Sequence, residues 1–119
     1  MVHLEPIPVV FYKESGSGNE PVKKWLLTLT KEERRHIGND LRTVQIGWPL
    51  GMPLVRSLGS GLWELRSNVP HGIARVIFMM YKGEIILLNG FIKKSQKAPK
   101  EELDLARKRA NKYKQGEGT

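Results

Sequence analysis

The sequence predicts a small α+β fold, because two helical patterns precede residue 54, strand-like patterns follow to residue 92, and a basic helical pattern comes last. Hairpin-sized connections join the strand-like runs, so the sheet should be small and dominated by antiparallel pairs. The predicted order is β-α-α-β-β-β-α with the helices packed on one face, since each amphipathic helix needs an apolar partner. At 119 residues the chain should form one domain, residues 1–119, that buries about two-thirds of the surface exposed when unfolded.

Ile7 to Tyr12 is β-branched and aromatic, and the turn residues of KESGSGNE follow, which reads as a strand and then a loop. In EPVKKWLLTL, Val22, Trp25, Leu26 and Leu29 recur at helical spacing, and Pro21 stands in the first turn, where proline is tolerated. Thr30 and Glu33 have the spacing of a capping box, and Ile37, Leu41 and Val44 continue an apolar stripe. A second helix should therefore run from about Lys31 to Gly47. GWPLGMP cannot extend it, because Pro49 and Pro53 lack the amide donor. Three strands are expected next: Leu54 to Arg66 with a possible kink at GSG, Ile73 to Tyr81, and Glu84 to Ile92. A helix at about 99–114 then keeps Leu103, Ala106, Ala110 and Tyr113 on one stripe.

The absence of cysteine excludes disulfides, thiolate metal sites and thiol nucleophiles, and suits a reducing cytoplasm. No apolar run approaches the roughly 20 residues that span a bilayer, so no membrane partner is expected. His3, His36 and His71 lack the spacing of a metal-ligand pair, and no phosphate-binding glycine loop or Ser-His-Asp order appears. Neither metal nor cofactor is expected. Lys and Arg outnumber Asp and Glu by 20 to 12, and the segment from Lys93 to Thr119 supplies +5 of the formal +8. Such a surface attracts polyanions by releasing their counterions, although a solubilising face has the same composition.

Strand side chains alternate between faces. Trp63 and Leu65 should thus join Val76 and Phe78 beneath the helices, leaving Glu64, Arg66 and Arg75 on the opposite face. Two neighbouring guanidiniums repel unless an anion lies between them, and Glu64 neutralises only one charge, so the pair is suited to a phosphate. Solvated charges on an open sheet face would show the same spacing. The last strand leaves through NGFIKKSQK, where Phe91 can stack on an unpaired base beside the phosphate-binding Lys93 and Lys94. A core phenylalanine followed by a basic linker fits that pattern too. His71, in the NVPHG turn, is a further candidate acid or base.

The segments GLWELR and ARVIFMMYKGEIILLNGFIKKSQKAPKEELDLARKR resemble the HigB-type branch of the RelE/ParE toxin superfamily over roughly Arg56 to Arg109. The resemblance implies a RelE-like fold and a type II toxin that inhibits translation as a ribosome-dependent, metal-independent mRNA endoribonuclease (an mRNA interferase). A cognate helix-turn-helix antitoxin, the ribosome and mRNA are its implied partners. Carried onto matching positions, Arg66, Arg75, Lys93 and Lys94 are the implied catalytic residues, and Arg56, Phe91 and Lys97 the implied RNA-binding ones, with Glu64 and His71 in reserve for proton transfer. The family often has His where Asn89 stands. A ParE-like gyrase poison without nuclease activity and a non-catalytic nucleic-acid-binding module are the alternatives.

Overall fold

Thr30 and Glu33 close the capping box that their spacing predicts. The Thr30 hydroxyl accepts from the Glu33 amide at 3.1 Å, and the Glu33 carboxylate accepts from the Thr30 amide at 2.8 Å. They start helix α2 (Lys31–Gly47) at the expected residue. The computed structural model describes residues 3–93 and 99–116, and in it strand β1 (Val9–Phe11) and helix α1 (Pro21–Leu27) come before α2. Strands β2 (Val55–Gly59), β3 (Leu62–Val69), β4 (Gly72–Tyr81) and β5 (Glu84–Lys93) follow, and helix α3 (Lys100–Lys114) comes last.

The α+β class and the antiparallel-dominated sheet are as predicted, and the arrangement is RelE-like. The five strands lie in the order β1-β5-β4-β3-β2. All pairs are antiparallel except β1 with β5. The expected strand from Leu54 to Arg66 is instead the hairpin β2–β3, because Gly59, Ser60 and Gly61 all adopt positive φ and reverse the chain. The order thereby gains one strand over the predicted β-α-α-β-β-β-α. Lys82 and Gly83, at φ of 49° and 77°, make the two-residue turn between β4 and β5. At the outer edge, β2 is short and its pairing slips between Ser57 and Gly59.

The sheet divides two cores. On one face Leu65, Val76, Phe78 and Leu87 pack with Val22 of α1 and Ile37 and Val44 of α2, as the alternation predicts. On the other, Leu62, Ile77, Met79, Ile86 and Leu88 pack with Ala106, Ala110 and Tyr113 of α3. The helices are therefore not confined to one face. The cause lies in the strands themselves, whose second face is also apolar in its upper half and requires its own cover. Polar contacts fix α3 there: the Arg109 guanidinium donates to the Leu88 carbonyl at 2.8 Å, and the Asn89 amide donates to the Glu102 carboxylate at 2.9 Å.

Candidate functional site

The register places Arg66 of β3 directly opposite Arg75 of β4, and Arg75 directly opposite Phe91 of β5. One step along the strands, Asn68 faces Ile73, which faces Lys93. One step in the other direction, Arg56 of β2 faces Glu64 of β3. All of these side chains lie on the α3 face of the sheet, because direct partners in an antiparallel pair share a face.

Like charges directly across a strand pair are destabilising, so the arginines need a counter-ion. The protein supplies it. Glu64 Oε1 lies 3.7 Å from Arg66 Nε, and Glu64 Oε2 lies 3.4 Å from Arg75 Nη1. The side chains of Glu64 and Arg75 expose no surface, whereas that of Arg66 is 11% exposed. The expected cradle, open to a phosphate between two guanidiniums, thus has an internal carboxylate at its centre and only one arginine reaching solvent. Arg75 lies beneath it, wholly buried. The two guanidiniums share this carboxylate, and Arg66 is the one of them that reaches the surface.

Arg66 opens onto two adjoining hollows. One, of about 200 Å³, is lined by Pro53, Arg66, Asn68 and Ile73. The other, of about 330 Å³, is lined by His36, Asp40, Pro53, Leu54, Arg66 and Asn68. They exist because β2 begins only at Val55, so β3 is uncovered beyond the bond from the Arg66 amide to the Leu54 carbonyl. Lys93 is exposed at the end of β5. Two strand spacings and one two-residue step separate its Cα from that of Arg66, about 12 Å, which two long side chains can bridge around a phosphodiester. Arg56 is exposed beside Glu64.

Phe91 is 8% exposed and belongs to the core that α3 closes. The core-phenylalanine alternative is therefore the arrangement found. His71 is exposed in the β3–β4 turn, at the same end of the sheet as Asn68 and Ile73. Lys94 and Lys97 lie outside the described residues. Asn89, where the family often has His, bonds α3 through Glu102 and accepts from its neighbour's amide, Gly90 N, at 3.0 Å. Among the described residues no group of three or more potential ligands could hold a metal ion, and no helix is long and apolar enough to cross a membrane.

Sequence reasoning missed His36, Asp40 and Asn68. His36 and Asp40 flank the core residue Ile37 at i, i+4 spacing, so both sit at the border of the buried stripe of α2. That position was the available signal. The Ser67 hydroxyl, from the helix-covered face of β3, donates to Asp40 Oδ2 at 2.6 Å and ties α2 to the strand beside Arg66.

The family model described as Phage derived protein Gp49-like (DUF891) matches residues 24–111, from within α1 to near the end of α3. The chain belongs to this family. The Gp49-like family is part of the RelE/HigB-type toxin-like group, in agreement with the superfamily resemblance at that level. The matched span of this Gp49-like chain contains every residue of the Arg66 site described above. No curated protein matches the chain.

Proposed function

We propose that this Gp49-like chain is the toxin of a type II toxin–antitoxin pair and acts in the cytoplasm as a metal-independent endoribonuclease on ribosome-bound mRNA, with a helix-turn-helix antitoxin as its inhibitor. The observation that carries this reading is Arg66. It is a surface-reaching guanidinium aimed by a buried carboxylate, itself held by buried Arg75, at the junction of two hollows on a basic chain. Membership in a toxin-like family of the RelE type supports the same reading.

In this mechanism the RNA 2′-hydroxyl attacks the adjacent phosphorus, the 2′-O–P bond forms and the P–O5′ bond breaks. The products are a 2′,3′-cyclic phosphate and a free 5′-hydroxyl. Arg66 stabilises the charge that grows on the phosphoryl oxygens, a contribution whose loss typically costs about a hundredfold or more. Lys93 acts either as the base that takes the 2′-hydroxyl proton or as the acid that protonates the leaving 5′-oxygen, with Lys94 and His71 as alternatives. Arg56 and Lys97 hold flanking phosphates. Arg75 and Phe91 are positioning residues: one fixes Glu64 and hence Arg66, and the other fills the core beneath them.

The test maps mRNA 5′ ends in translating extracts, with wild type beside Arg66→Ala. Codon-positioned cuts that fall about a hundredfold in the folded variant support the nuclease. The complete burial of Arg75 favours one second reading, in which the arginines only brace the sheet and the chain is a ParE-like gyrase poison. Intact message together with arrested gyrase would select it. Intact message and active gyrase would leave a binding module.

A further inference from the structure

We infer that the hollow between α2 and β3 receives the base next to the scissile phosphate and selects bases that carry an exocyclic amine, namely adenine, cytosine or guanine, over uracil; this inference rests on the nuclease reading. The two hollows that meet at Arg66 differ in chemistry. The smaller one, lined by Pro53, Arg66, Asn68 and Ile73, contains no acid among the described residues. The larger one contains the Asp40 carboxylate. A carboxylate repels phosphate, so the backbone belongs over Arg66 and a neutral group belongs beside Asp40.

That group is well described as a base. Pro53 and Leu54 offer apolar walls, and His36, Asp40 and Asn68 offer polar edges, the mixture by which splayed single-stranded bases are held. Asp40 is set in advance: Ser67, itself 1% exposed, holds Oδ2 at 2.6 Å and leaves Oδ1 to accept from a ligand. Amino hydrogens on adenine, cytosine or guanine satisfy it, whereas uracil offers only a ring N3–H flanked on both sides by carbonyl oxygens that the carboxylate repels. Asn68 supplies both a donor and an acceptor and adds to recognition of any of the three.

The experiment reads the nucleotide beside each cut in the translating extract, for wild type and Asp40→Asn. The substitution keeps an acceptor for Ser67 but can turn an amide donor toward the ligand. Uracil beside the cut should be about tenfold under-represented in wild type, the size expected of one hydrogen bond to a charged group. In Asp40→Asn the distribution should flatten toward uracil while total cutting falls. Ser67→Ala, which retains the charge but releases its direction, should flatten it in part and serves if Asp40→Asn does not fold. Identical base distributions in wild type and both folded variants, or free use of uracil by wild type, overturn the inference while leaving the nuclease intact. Absence of cuts by wild type overturns both and is recognised by uncut message.

Discussion

Glu64 and Arg75 form an ion pair at 3.4 Å in which neither side chain reaches solvent. Removing one member of such a pair leaves a buried charge without its counter-ion, so Glu64→Gln should lower stability by about 3 kcal/mol, measured by urea unfolding. Replacing both members with apolar residues of similar volume, as in Glu64→Leu with Arg75→Met, should recover most of that loss. The same double variant should remain inactive in message cleavage, because Arg66 has lost the carboxylate that aims it. Recovery of activity along with stability would make the pair purely structural.

Lys93 is exposed, and its substitution should spare the fold. Lys93→Met should change the unfolding free energy by no more than about 0.5 kcal/mol, the usual range for a surface change. Cleavage should nevertheless fall at least tenfold if the ammonium moves protons for the reaction. Equal loss in Lys93→Arg, which keeps the charge, would identify proton transfer, whereas rescue by Arg would reduce its role to holding phosphate.

Gly90 lies under Trp25 so closely that an added Cβ would stand 2.4 Å from ring carbon Cε3. The ring is packed against the core and cannot yield freely. Gly90→Ala should cost about 1–3 kcal/mol, the range for overpacking, in thermal or denaturant unfolding. Pairing it with Trp25→Leu should relieve much of the added cost.

Burial, then Glu84 and Tyr81, push the Tyr113 phenol above its ordinary value of 10. Between that value and the raised one, the unfolded chain gives up this proton while the folded chain keeps it. Stability therefore falls as pH rises through the window. Since Tyr113 packs edge-on against Tyr81 with ring centroids 5.8 Å apart, the loss should centre on α3. Amide exchange in α3 should accelerate above pH 10, and Tyr113→Phe should remove that part of the acceleration.

Local signals in the sequence located elements well, since the Thr30–Glu33 box marked the start of α2 and Lys82–Gly83 marked a turn. Alternation also assigned Trp63, Leu65, Val76 and Phe78 to one face and Arg66 and Arg75 to the other. The side taken by α3 was harder to see, because an apolar stripe states that a helix must be covered without stating by what. Ile77 and Met79 held the missing clue, being apolar on the face expected to be open. Burial of Arg75 follows from the packing of that face and escaped notice for the same reason. His36 and Asp40 share a hollow with Arg66 because α2 packs beside β3, a proximity between residues far apart in sequence.

The irregular outer strand has a further consequence for how the molecule behaves at high concentration. β2 is five residues long, breaks step with β3 after Ser57, and carries the exposed Arg56. A straight apolar border would template the addition of strands from other copies. This one is bent and charged, so edge-to-edge growth into fibrils is opposed at that margin, and the chain can be concentrated without polymerising there.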